Sequence, residues 1–313
     1  MIILPAVLDV VVPVFGVVAL GYLVGAFRWL DSAAVRGLSL YVFNIAIPLL
    51  LFQAMATVTL PEVIPWRYLL AYYSCALGFF LACLGLGWRL MKQPLSEASV
   101  FAFGCSYGNF IPLGIPLVLT AFGDRATTPL FLMVALQAPL FFPLMIFLQE
   151  SVRRGSGHST SGHPVLKSIF ANQYLIGIGL GIALNLVDFA MPAPITDIID
   201  LIGRSAVPCA LFALGASLSS YPIGGVLGRV ALMVVIKNGL FPLVVWWVAA
   251  YGLDLAPLWQ AVMVLMAALP VGINTYLFAE RYQSGVALGG SGVVLSTAVS
   301  IVTISFILSM LAV

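Results

Sequence analysis

The sequence predicts an all-α polytopic membrane protein: ten transmembrane helices in two inverted sets of five, with the fourth and ninth helices broken. Three observations carry this reading. Of the 313 residues 62% are hydrophobic and 8% charged, and the mean hydropathy is +1.14, which leaves too little polar surface to enclose a water-soluble core. The apolar residues fall into ten stretches, each near the roughly 20 residues that cross a bilayer. The phrase Pro112-Leu113-Gly114-Ile115 returns as Pro270-Val271-Gly272-Ile273. Each copy lies in the middle of an apolar stretch, where proline removes a backbone donor and glycine loosens the helix further.

Taken in order, the spans are expected at 5–27, 33–56, 66–90, 96–122, 126–149, 165–187, 195–219, 225–251, 257–281 and 285–312. The first has no basic run before it and reads as a retained helix rather than a cleaved leader. The second contains Ala46-Ile47-Pro48-Leu49-Leu50-Leu51-Phe52, and the seventh answers it with Ala206-Val207-Pro208-Cys209-Ala210-Leu211-Phe212, 160 residues later. The fourth and ninth hold the broken phrases, 158 residues apart. Two correspondences at nearly one offset point to a duplicated half. Between the fifth and sixth spans runs the one clearly polar linker, 151–164, with Arg153, Arg154, His158 and His163 among Gly and Ser. It divides a first repeat, 1–150, from a second, 165–313. An odd number of helices per half makes the repeat inverted.

Charge placement gives the orientation. Arg28, Arg36, Arg89, Lys92, Arg153, Arg154, Lys167, Arg229 and Arg281 fall on the side of the odd-numbered connections, and only Arg67, Arg125 and Arg204 on the other. A basic excess marks the cytoplasmic face, so both termini are expected outside a plasma membrane, or an inner membrane in a bacterium. The formal charge of +2 is too small and scattered for nucleic acid. No cofactor or metal spacing is visible, and Cys75, Cys83, Cys105 and Cys209 read as small packing residues. An intramembrane enzyme would need buried catalytic carboxylates, a nucleophile with its base, or a metal cluster. A channel or receptor would more often show a continuous polar stripe or a signalling domain, and direct ATP drive a P-loop. Paired helix breaks instead mark the midplane binding site of a secondary transporter.

The polar residues inside the spans are few. Lys237, in Val234-Val235-Ile236-Lys237-Asn238-Gly239-Leu240, lies near the centre of the eighth span, where an ionisable group needs water or a partner. It could offset a bound anion, take the place a sodium ion holds in related symporters, or bond a carbonyl. Asp9 and Glu280 sit near span ends, so no carboxylate is expected at the depth of Lys237. This favours an anionic solute. Asn109 and Asn274 offer neutral amide donors beside the breaks, and Gln137 a third in the fifth span. Ser296, Thr297 and Ser300 could contact solute or bond between helices.

Tyr41-Val42-Phe43-Asn44-Ile45-Ala46-Ile47-Pro48, Gly108-Asn109-Phe110-Ile111-Pro112-Leu113-Gly114-Ile115-Pro116, the Pro208 to Gly215 segment and Leu295-Ser296-Thr297-Ala298-Val299-Ser300 together resemble the auxin efflux carrier family, over nearly the whole chain. The short linker is similar to the bacterial members, assigned to malonate, malate and related acids. The resemblance implies an elevator-type carrier, with scaffold helices at 5–56 and 165–219 and a transport domain at 66–149 and 225–312. It also implies that the broken helices cross, with Pro112 and Pro116 against Pro270, and that the substrate carboxylate sits beside Asn109. Asn274 stands at the repeat position of Pro116 rather than of Asn109. A homodimer in the lipid bilayer is implied by resemblance alone, and proton or sodium coupling fits the sequence. The expected cargo is a small organic anion, malate, malonate or an auxin-like acid. The alternative is sodium-coupled symport of larger amphipathic anions of the bile-acid type.

Overall fold

The computed structural model describes residues 3–57, 65–155, 173–187, 189, 191–221, 226–252 and 255–310, with side chains described from residue 10 onward except at 153–155 and 175. The helices are α1 (Ile3–Ala26), α2 (Ser32–Thr57), α3 (Trp66–Leu90), α4 (Leu95–Ser106), α5 (Phe110–Phe122), α6 (Thr127–Gly155), α7 (Gln173–Leu186), α8 (Ala193–Leu218), α9 (Leu227–Tyr251), α10 (Pro257–Ala268), α11 (Asn274–Arg281) and α12 (Val286–Met310). No strand occurs among the described residues. Among the described residues six segments are long and apolar enough to cross a membrane, namely α2, α3, α8, α9, α12 and the stretch Asp124–Val152. Val10–Ala26, α5, Ile176–Leu186 and α10 are shorter apolar helices. Most of the linker, including His158 and His163, and the start of the sixth expected span lie outside the described residues.

Large apolar side chains cover the outside: Leu20, Phe27, Leu70, Leu90, Phe147, Leu201 and Val302 are all exposed. Water would penalise such a surface, and hydrocarbon does not. The protein is therefore a multi-pass membrane protein. Its core gathers around α4, α5 and α10, where Phe101, Phe103, Leu113, Leu117, Val262, Leu265 and Met266 are fully buried.

Helix pairing rests on glycines where backbones touch. A Cβ on Gly21 would fall 2.2 Å from the carbonyl oxygen of Phe212, and one on Gly215 would fall 1.9 Å from that of Val18, so α1 and α8 pack main chain to main chain. Likewise, a Cβ on Gly177 would meet Pro48 O at 2.5 Å, and one on Gly181 would meet Phe52 O at 2.4 Å, which brings α7 against α2. Small residues permit this approach within a bilayer, where apolar burial between helices gains nothing over lipid. Gly215→Val is expected to cost about 1–3 kcal/mol through overpacking, read as a lower unfolding temperature in detergent. Gly37→Ala, where the added methyl meets open space, should leave that temperature near wild type.

Among the described residues four helical turns widen to π geometry: Val42–Ala46, Leu86–Leu90, Phe110–Gly114 and Ile236–Leu240. Pro48, Pro116 and Pro242 each stand two residues beyond such a turn. A proline has no N–H for the carbonyl four residues back, and its ring pushes that carbonyl aside. The wide turn absorbs the displacement. This chemistry opens α9 where Lys237 and Asn238 sit.

The structure also adds an acidic residue that the sequence reading did not weigh. Asp200 lies two turns inside α8, half-buried, 2.6 Å from Arg204 and accepting from Gln53 Nε2 at 3.4 Å. Arg204, counted on the external side and inside the seventh expected span, is a residue of α8. Their i,i+4 spacing lets each neutralise the other, which makes the pair tolerable in an apolar helix.

Candidate functional site

The fourth expected span breaks between α4 and α5, and the ninth between α10 and α11. The two breaks meet. Gly108 and Val271 form an isolated antiparallel bridge; Asn109 N donates to Pro270 O at 3.0 Å, and Gly272 N donates to Tyr107 O at 2.9 Å. Each extended segment thus satisfies main-chain groups that the other break sets free, as buried backbone requires. Gly272 is needed here, because a Cβ would fall 2.6 Å from the Tyr107 ring and 3.1 Å from Gly108 O. Pro112, Pro116 and Pro270 are buried around the meeting point.

Remaining backbone groups are met by side chains from neighbouring helices. Gln137 Nε2, from α6, donates to Gly108 O at 3.0 Å. Lys237 Nζ, from α9, donates to Ala267 O at 2.6 Å and lies 4.8 Å from the centroid of the Phe241 ring. The side chain of Lys237 is wholly buried. Ala267 lies in the last turn of α10, where carbonyls carry partial negative charge, so an ammonium there completes both the hydrogen bonding and the dipole. Val271 N donates to Ser296 Oγ at 2.9 Å, Ser296 Oγ donates to Asn238 Oδ1 at 2.5 Å, and Asn238 Nδ2 returns to Ser296 O at 3.2 Å. Thr297 and Ser300 donate to carbonyls of their own helix, Val293 O and Thr297 O.

The two asparagines differ from these. Asn109 immediately precedes α5 and Asn274 is the first residue of α11, so both stand at the N-terminal ends of the second half-helices. These ends carry partial positive charge. Asn274 Nδ2 donates to Tyr107 Oη at 3.3 Å, and the Tyr107 ring is held flat on Phe103 at 4.4 Å. Asn109 is 3% exposed, and its Nδ2 has no hydrogen-bond partner. An unpaired buried amide donor costs about 1–3 kcal/mol, so an added acceptor would gain by bonding this atom.

The structure therefore brings Asn109, Asn274, Pro270 and Gln137 to one crossing, with Pro112 and Pro116 in the half-helix α5 that leaves it and Lys237 behind its α10 end. Asn238 and Tyr107 were missed as parts of this assembly. For Asn238 a signal existed in Pro242, which frees the Asn238 carbonyl and marks the wide turn. Gln137→Leu should destabilise the protein by about 0.5–1.5 kcal/mol, because Gly108 O keeps only its bond from Phe110 N at 2.9 Å; thermal unfolding of the purified protein checks this.

A family model described as "Membrane transport protein" matches residues 6–308. The chain belongs to this family. A "Putative malonate transporter" from Rhizobium meliloti (strain 1021) is 25% identical over 308 residues, covering 95% of this chain and 93% of that protein. The "Lysosomal cholesterol signaling protein" of Mus musculus is 24% identical over 322 residues, 91% of this chain but 35% of the mouse protein. "Auxin efflux carrier component 2" of Oryza sativa subsp. japonica is 26% identical over 223 residues, 64% of this chain and 30% of the rice protein. This member of the membrane transport protein family is a transporter rather than an enzyme.

Proposed function

We propose that the chain is a secondary active carrier of small organic carboxylates, working by elevator-type alternating access. The observation that carries the proposal is the crossing: two half-helix N-termini, an unpaired buried amide on Asn109, and no acidic side chain among the residues that bond there. Partial positive charge with free donors suits a carboxylate. Asn109 and Asn274 are its contacts, Pro112, Pro116 and Pro270 shape the site, Gln137 holds the frame, and Lys237 adds positive charge from behind α10. The name of the bacterial relative, which is matched over nearly its full length, supports malonate or a similar short diacid.

Ten spans in two inverted halves are supported by a repeated contact. Gly21 meets the carbonyl of Phe212, and Gly181 meets that of Phe52. Both members of the second pair are displaced by the 160 residues that relate Pro48 to Pro208. One half thus repeats against the other the contact it receives. In this reading the scaffold comprises 5–56 and 165–219, the transport domain comprises 66–149 and 225–312, both termini lie outside, and a homodimer forms through the scaffold.

The test is thermal stabilisation of the purified protein by a panel of mono- and dicarboxylates, with and without sodium and at two pH values. Stabilisation by one acid that disappears in Asn109→Ala is the expected result. A sodium requirement would favour the symporter reading with larger amphipathic anions, and no response to any acid would overturn a carboxylate cargo.

A further inference from the structure

One cavity and one ring contact lie at opposite ends of α8. The cavity, about 680 Å3, is lined by Leu50 and Gln53 of α2, Asp200 of α8, Arg125 in the connection between α5 and α6, and Thr128 of α6. At the other end, Tyr221, just past α8, stacks on Tyr276 of α11, with centroids 4.2 Å apart and planes at 27°. The Tyr276 hydroxyl donates to Glu280 at 3.3 Å, which fixes the ring against its own helix. Asp200 and Tyr221 are 21 positions apart, or about 30 Å at 1.5 Å per residue. That is the thickness of the hydrocarbon layer. The open cavity and the closed contact therefore face opposite sides of the membrane.

Both features lie between the same two sets of helices. Asp200 belongs to the scaffold proposed above and Tyr221 follows directly after its last helix, α8, while Tyr276, Arg125 and Thr128 belong to the transport domain. From this we infer that Tyr221 and Tyr276 are the closed gate of one face, and that Arg125 and Asp200 are the open gate of the other. The inference rests on the two-domain reading. An aromatic stack seals by area and can part without stranding a charge. The opposite face has Asp200 on the α8 side of its cavity and Asp124 and Arg125 on the other: the Arg125 Nε is spent on Phe122 O at 3.1 Å, and among the described residues no ion pair joins its guanidinium to either carboxylate. When the cavity closes, the guanidinium meets the Asp200 carboxylate, which then exchanges its helical partner Arg204 for one across the gap.

The experiment uses the full chain in vesicles with Cys75, Cys83, Cys105 and Cys209 replaced by alanine and Leu50→Cys added as a reporter inside the cavity. In Tyr221→Cys/Tyr276→Cys, oxidation should stop transport reversibly and keep Leu50→Cys open to a membrane-impermeant maleimide. In Arg125→Cys/Asp200→Cys, a short bifunctional crosslink should also stop transport, but shield the reporter. Unimpeded transport by either crosslinked protein, or a reporter equally reactive in both, would overturn the gates. Labelling needs no substrate, so an error in the cargo leaves the reporter readable and is distinguishable from an error in the gates.

Discussion

Asn109→Ala weakens carboxylate binding roughly tenfold to a hundredfold, since a hydrogen bond to a charged acceptor contributes about 1.5–3 kcal/mol, while the ligand-free protein unfolds near the wild-type temperature. The second half of this expectation makes it specific. Asn109 Nδ2 bonds nothing in the protein, and the crossing is tied through Asn109 N and Pro270 O, both of which the substitution keeps. Asn109→Asp goes further, because it replaces the donor by a group that repels the cargo and resists burial as an anion. No binding should be measurable. Calorimetric titration with malonate, paired with thermal unfolding of the apo variants, separates the two quantities. Wild-type affinity in Asn109→Ala would remove this residue from the site; a collapse of apo stability would make it structural.

Lys237→Ala carries the other large effect, and here stability and transport should fall together. The ammonium bonds Ala267 O at the end of α10 and sits over Phe241, so truncation strands a buried carbonyl and leaves a cavity. The charged hydrogen bond alone contributes about 1.5–3 kcal/mol, and the ring contact roughly 0.5–2 kcal/mol more. Lys237→Met fills the cavity yet restores neither donor nor charge. If Lys237→Met recovers stability without recovering substrate affinity, the charge serves the anion. Recovery of both would reduce Lys237 to packing, and unchanged transport in Lys237→Ala would remove it from the mechanism.

Lys237 was legible in the sequence only in part. An ionisable residue in an apolar stretch demands a partner, so its importance was legible, but the partner is a main-chain carbonyl thirty positions away, which no side-chain pattern encodes. The breaks at Pro112 and Pro270 were legible for the opposite reason, because proline and glycine act on their own backbone. Span limits followed from composition, and 66–90 coincides with α3. The wide turns did not, although Pro48, Pro116 and Pro242 announce them. Asp200 escaped notice because its partner Arg204, one turn on, was weighed only as an orienting charge, which hid a neutral pair. Tyr107 escaped because an aromatic in an apolar run looks like packing until Asn274 is seen against its hydroxyl.

The bridge between Gly108 and Val271 has a consequence for how the protein is made. Its two stretches of main chain lie 163 positions apart, so during synthesis Tyr107 O and Asn109 N wait in the membrane until Pro270 and Gly272 are inserted. The crossing is therefore completed only once the break between α10 and α11 is inserted, and a chain that stops before α10 leaves the translocon with the centre of its first half unfinished.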